Sequence, residues 1–214
     1  MNNIYCISGL GADDKVFSKF NFGEDKVHYI HWEIPEKNEP ISNYARKLSC
    51  QIHHETPVLI GLSFGGMICI EIAKIIPVKM VILISSIKSV HELPYWMKLC
   101  GKLNLDKLFP MRSFRLIEPL ENYNLGLETQ SERDMVNHYR RNVNSIYSDW
   151  AINNILNWKN EWKPDHLFHI HGDRDRIFPI KKIKADHIIP TGGHFMIMNR
   201  AVLVNEIVSS ILSK

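Results

Sequence analysis

Ser63 stands in the hexapeptide Gly61-Leu62-Ser63-Phe64-Gly65-Gly66, a G-x-S-x-G pattern. It lies between Pro57-Val58-Leu59-Ile60, which reads as a strand, and Gly65 to Ile76, which reads as a helix stopped by Pro77. A serine on so tight a strand-to-helix turn points its hydroxyl away from the sheet, and glycines on either side remove the side chains that would clash. The helix N-terminus behind it favours an oxyanion. A neutral serine is a poor nucleophile and needs a base beside it. Downstream, His194 follows Gly192-Gly193, a turn able to carry an imidazole over the sheet edge. Asp173 and Asp175 both lie on the loop after the apolar run Leu167 to Ile170, and either could orient that imidazole. His187 begins a predicted strand and reads as structural.

The elements that must position these groups alternate. Strands are expected at Ile4–Ile7, Val27–Trp32, Pro57–Ile60, Met80–Ile84, Leu167–Ile170 and His187–Ile189, and helices over Ile41–Ile52, Gly65–Ile76 and Val202–Leu212, with a short one over Ile180–Lys184. Strands apolar on both faces and separated by helices imply an α/β fold with a mostly parallel sheet of about six strands and helices on both sides. The alternation fails between about His91 and Trp162, where helices and loops broken at Pro94, Pro110 and Pro119 read as an insertion between the fourth and fifth strands. The expected division is a core of residues 1–90 and 163–214, with an inserted helical unit over 91–162.

Four segments together resemble the α/β-hydrolase superfamily. Ser8-Gly9-Leu10-Gly11 stands where that family carries its oxyanion loop, Gly61 to Gly66 is its nucleophile turn, His171-Gly172-Asp173-Arg174-Asp175-Arg176-Ile177-Phe178-Pro179 resembles its acid loop, and Gly192-Gly193-His194-Phe195 its histidine loop. The resemblance implies Ser63 as nucleophile, His194 as base and Asp175, favoured over Asp173 by the G-x-x-D spacing, as the acid. It implies backbone N–H donors at Leu10 and Phe64 for the oxyanion. His171 would support the acid turn, and the insertion falls where the family usually carries a cap. Ser8 departs from the pattern, since many members have His there, and the two leading strands of the full fold are expected to be missing.

These readings lead to a serine hydrolase acting on a small, largely apolar carboxylic ester or thioester, with no cofactor. Carbon–carbon bonds of diketones and acyl transfer stay open, because the triad does not choose the substrate. Epoxide and haloalkane hydrolysis are disfavoured, since those branches of the resembled family place Asp at the nucleophile. The alternative from another class is a ligand-binding protein that keeps the fold with vestigial turnover; a third is a protein–protein module. Phe64, Trp96 and Trp150 are the expected substrate-binding side chains, drawn from a set of aromatic and Met residues that also holds Tyr95, Met97, Phe109, Met111, Phe114 and Tyr147.

Composition sets the limits. The chain has 214 residues, 45% of them hydrophobic and 23% charged, which excludes a disordered or fibrous protein. A net charge of +3 is too small to point to nucleic acid as a partner. Cys6, Cys50, Cys69 and Cys100 form no CxxC, and no disulfide framework is expected. The most apolar stretch, Met67 to Ile87, carries Glu71, Lys74, Pro77 and Lys79, so no membrane span is expected; with no basic, apolar leader, the cytoplasm is the expected compartment. His28-His31, His53-His54 and His169-His171 lack a converging third ligand, so no metal is expected. Lys181-Lys182 and Lys184 read as a solvated face.

Overall fold

A computed structural model describes residues 1–104 and 117–213. Six strands form one sheet: β1 (Asn3–Ile7), β2 (Lys26–Tyr29), β3 (Val58–Leu62), β4 (Met80–Ile84), β5 (Leu167–Gly172) and β6 (His187–Ile189). They stand in the order β2-β1-β3-β4-β5-β6, and every neighbouring pair is parallel. Parallel neighbours need long crossovers, and helices supply them: α1 (Ile41–Ser49) leads into β3 and α2 (Phe64–Ala73) into β4. Between β4 and β5 run α3 (Tyr95–Lys102), α4 (Glu118–Leu125), α5 (Gln130–Asn142) and α6 (Ser145–Leu156); after β6 come a single turn, α7 (Met196–Asn199), and α8 (Ala201–Leu212).

Strand alternation divides the core into two layers. Tyr5 and Ile7 of β1, Leu59 of β3, and Val81 and Leu83 of β4 face a cluster built with α1, α2 and α6. Their neighbours Ile4, Cys6, Val58, Ile60, Ile82 and Ile84 face the opposite cluster, filled by α7 and α8 with Val16 and Phe17. This two-sided burial is why the strands read as unbroken apolar runs. Phe64 to Ile72 of α2 and all of β4 are buried, which accounts for the apolar character of the stretch from Met67 to Ile87.

The sequence expectation of six parallel strands agrees with this sheet. Several expected elements end early: α1 stops at Ser49 rather than Ile52 and α2 at Ala73 rather than Ile76. β2 stops at Tyr29 rather than Trp32, because it is an edge strand paired only with β1, and a ³₁₀ turn, Ile180–Lys182, replaces a helix to Lys184. Phe109, Met111 and Phe114 lie outside the described residues.

The order also fixes where a site can form. From β1 the chain passes to β2 on one side and then returns to β3 on the other, so the direction of winding reverses between β1 and β3. Crevices in open parallel sheets open at such a reversal, beyond the carboxyl ends of the strands. The turn after β1 holds Gly9 and Leu10, and the turn after β3 holds Ser63.

The helices between β4 and β5 are tied to this core by buried polar bonds as well as by packing. Glu71 of α2 is 4% exposed. Its Oε1 accepts from Trp158 Nε1 at 2.8 Å and from Lys74 Nζ at 2.7 Å. Trp150 of α6 packs on Tyr44 at 4.2 Å between ring centres and donates Nε1–H to the Glu39 carbonyl at 2.7 Å. Removing one partner of a buried charge leaves its desolvation uncompensated. Trp158→Phe should therefore cost about 1–3 kcal/mol in urea denaturation; a loss under about 0.5 kcal/mol, within ordinary surface-substitution scatter, would mean that Lys74 alone satisfies Glu71.

Candidate active site

Ser63 sits between β3 and α2 at φ 51° and ψ −119°. This left-handed backbone costs a non-glycine residue about 1–3 kcal/mol and persists only where the surroundings impose it. Here they do. A side chain at Gly65 would strike the carbonyl oxygens of Ile7 and Ser8, one at Gly61 would strike the Gly66 backbone, and one at Gly66 would strike Ser86. Three glycines thus let α2 press against the ends of β1 and β3. The Ser63 N–H donates to the Ile84 carbonyl at 2.9 Å, and Ser86 Oγ donates to the Ser63 carbonyl at 2.6 Å. The backbone is pinned from both sides while the hydroxyl stays half-buried.

The structure brings His194 to this hydroxyl. Its Nε2 lies 2.9 Å from Ser63 Oγ, and its Nδ1 lies 2.8 Å from Asp175 Oδ2. A carboxylate only accepts, so Nδ1 carries the proton and Nε2 of the neutral ring is free to accept from the serine. Asp175 is 4% exposed, and its second oxygen accepts from the N–H groups of Ile177 and Phe178 at 2.8 and 2.9 Å. Asp173, the competing candidate, is exposed on the same loop. The Phe178 ring meets His194 edge-on at 5.6 Å.

His171 backs the acid. It is fully buried, donates Nε2–H to the Phe178 carbonyl at 2.8 Å and lies 3.5 Å from Asp175 Oδ2. Burial lowers its pKa below the usual histidine value despite the carboxylate beside it. It therefore braces the acid turn as a neutral ring.

On the other side of Ser63 lies the turn after β1. A side chain on Gly9 would reach within 3.5 Å of Ser63 Cβ, so the Gly9-Leu10 peptide runs beside Ser63. The Ala12 N–H closes this turn onto the Gly9 carbonyl at 3.0 Å, with Gly11 at φ 72°. The Phe64 N–H is the first of α2 and has no intrahelical acceptor. Leu10 and Phe64, expected as oxyanion donors, thus flank Ser63 from the two turns at the winding reversal.

No family model and no curated protein matches this chain. Solved structures do. A thermophilic esterase from Thermogutta terrifontis superposes with a TM-score of 0.73 at 15% identity, over 100% of this chain and 90% of that one. MenH from S. aureus gives 0.73 at 16% identity over 99% and 93%. An epoxide hydrolase from Bacillus megaterium gives 0.70 at 14% identity over 100% and 94%. This chain has the α/β-hydrolase fold.

Within that fold, Ser8 has an evident task. Trp32 Nε1 donates to Ser8 Oγ at 2.9 Å, and Ser8 Oγ donates to the Ala12 carbonyl at 2.7 Å. The hydroxyl at this departure from the common pattern thereby clamps the turn beside Ser63. Only the pairing with Trp32, distant in sequence, reveals it.

The expected substrate-binding residues are placed differently. Phe64 is fully buried and stacks on Trp32 at 5.6 Å, and Trp150 is buried against Tyr44 and Phe64; both are taken up by packing. Trp96 is 55% exposed on α3. Two surface depressions, of about 180 and 250 Å³, are lined by other residues: one by Ser8, Asp13, Tyr29 and Trp32 among others, the second by Arg174 and Arg176 of the acid loop and Arg200 between α7 and α8 among others. Among the described residues no group of three or more His, Cys, Asp or Glu side chains could hold a metal ion, and no helix is long and apolar enough to cross a membrane.

Asp175 carries a pH signature. Burial pushes its carboxyl up, but the His194 charge and hydrogen bond, with His171 and the Phe178 N–H, outweigh burial and hold it below its ordinary value of 3.8. A carboxyl lower in the folded than in the unfolded chain contributes stability that is complete above the unfolded value and is lost as pH falls through the folded one. The stability gap between wild type and Asp175→Asn should therefore narrow as pH is lowered from about 5 to about 3. Urea midpoints across that range test it, and a gap independent of pH would contradict it.

Proposed function

We propose that this protein is a serine hydrolase that cleaves a small, largely apolar carboxylic ester or thioester. The observation that carries the reading is the unbroken chain Ser63 Oγ, His194, Asp175 at 2.9 and 2.8 Å. In the first step Ser63 Oγ adds to the carbonyl carbon as its proton passes to His194 Nε2. Asp175 holds the ring with Nδ1 protonated and stabilises the cation that forms. The Leu10 and Phe64 N–H groups receive the carbonyl oxygen as it gains charge. Collapse of the tetrahedral adduct expels the alcohol or thiol, which takes its proton from His194. Water then attacks the acyl-enzyme by the same route, releasing the acid and restoring Ser63.

The segment over 91–162 is proposed as a cap. Its support is position: Val143, just after α5, approaches to 3.3 Å of where a side chain on Gly11 would stand, and Leu125 at the end of α4 accepts from the Phe195 N–H at 2.9 Å. Both contacts flank Ser63 and His194. With Leu10 on the turn beside Ser63, Val143 against Gly11 of that turn and Phe178 edge-on to His194, the surroundings favour a compact apolar acyl group. A binding protein with vestigial turnover is supported by the shelter of the site, since His194 is only 8% exposed.

A fluorophosphonate probe followed by intact-mass measurement separates the two. One adduct is expected on the wild type and none on Ser63→Ala. In ester hydrolysis, Ser63→Ala should lower kcat by about 10⁴-fold or more and Asp175→Asn by about 10⁴-fold, because the three groups act as a unit. An unlabelled, folded wild type, or a Ser63→Ala variant that keeps its ester turnover, would overturn the hydrolase reading in favour of ligand binding.

A further inference from the structure

The acid loop and the junction of α7 with α8 carry arginines that the proposed ester cleavage does not use. Arg174, Arg176 and Arg200 line the 250 Å³ depression, together with Thr191 and Gly193. Only one carboxylate, Glu128, lies among the lining residues, and it is already engaged. Arg200 grips it through Nη1 and Nη2 at 3.0 and 2.6 Å and also donates Nε–H to Thr191 Oγ at 3.2 Å. One of the three cations is thereby neutralised.

The other two are not. Arg176 is oriented rather than paired: its guanidinium lies 3.9 Å over the Tyr123 ring and donates one N–H to the Tyr123 carbonyl at 2.9 Å, which leaves its other donors available. Arg174 is exposed, and its backbone N–H is fixed on the Gly192 carbonyl at 2.9 Å, so the side chain starts from a set point on the rim. The Thr191 hydroxyl accepts from Arg200, which leaves its own proton to donate. Asp173, exposed beside Arg174, is the neighbouring charge of opposite sign on that loop. A concave site with two spare guanidinium forks, one hydroxyl and a surplus of two positive charges matches a doubly charged oxyanion.

We infer that this depression binds a phosphate or phosphomonoester dianion. Its ligand would join the loop of Asp175 to the loop of His194, since Arg174 and Arg176 flank the acid and Thr191 lies three residues before the histidine. Isothermal titration of inorganic phosphate into the full chain, at about pH 7.5 where the dianion predominates, tests this. Saturable binding is expected, weakened at least about tenfold by Arg174→Gln and by Arg176→Gln, the loss of one charged hydrogen-bonded partner. Thr191→Val should weaken it less, and Arg174→Lys, which keeps the charge without the fork, should fall between. Ser63→Ala should bind as the wild type does, so the result stands apart from any ester turnover. Glycerol phosphate titrated in parallel identifies which source binds tighter, and saturable binding of either supports the site. No saturable heat up to about 10 mM of either ligand, weaker than any millimolar affinity, or equal affinity in the wild type and both glutamine variants, would overturn it.

Discussion

The close approach of α2 to β1 and β3 is the constraint on which the candidate site depends. It exists because Gly61, Gly65 and Gly66 present no side chain where the backbone of Ile7, Ser8 and Gly66 itself, and the Ser86 side chain, already stand. That approach forces Ser63 into left-handed backbone geometry and puts the first N–H of α2 beside the turn after β1. Strain at Ser63 is offset elsewhere, by the buried apolar side chains of α2, of which each large one removed from water contributes about 1.5–3 kcal/mol.

The electrostatics follow the same logic of fixed surroundings. Asp175 stays ionised in a buried place because both its oxygens are saturated, one by two loop N–H groups and one by His194. His171 occupies the third side of the carboxylate, yet burial keeps it neutral, so it shapes the loop without competing for the charge. One acid therefore meets two histidines, and only the less buried of them reaches the serine.

The sheet and the tight turn at Ser63 were legible in sequence because each rests on local rules, whereas the meeting of Ser63 with His194, 131 residues away, was expected from the resemblance to a family. Two-sided burial writes itself as unbroken apolar runs, and a tight strand-to-helix turn demands glycines at set spacing. What was not legible depends on partners far apart in the chain. Trp150 and Phe64 carry aromatic rings suited to a substrate, but the structure packs them into the core, since nothing local distinguishes a ring that meets Tyr44 from one that meets a ligand. Ser8 reads as a departure from a family pattern until Trp32, 24 residues away, is seen to donate to it. The short α7 went unread because Met196–Asn199 is one turn long, below the length at which helical spacing becomes visible.

The histidine loop deserves its place at the centre of the molecule for a mechanical reason. Gly193 lies against Gly126 so closely that a side chain on Gly126 would come within 3.1 Å of the Gly193 Cα. The Phe195 N–H bonds the Leu125 carbonyl at 2.9 Å, Asn199 Nδ2 bonds the Gly126 carbonyl at 2.9 Å, and Arg200 holds Glu128. Leu125, Gly126 and Glu128, at and just beyond the end of α4, are thus fastened to residues on both sides of His194. The hydrogen bond from Ser63 to His194 joins this assembly to the strained turn after β3. Any displacement of the α4 end relative to the sheet must either break those bonds or carry the histidine loop with it, and the second course would lengthen the 2.9 Å separation between His194 and Ser63. The end of α4 and the Ser63–His194 pair are in this way one mechanical unit, joined by one backbone bond and by the side chains of Asn199 and Arg200.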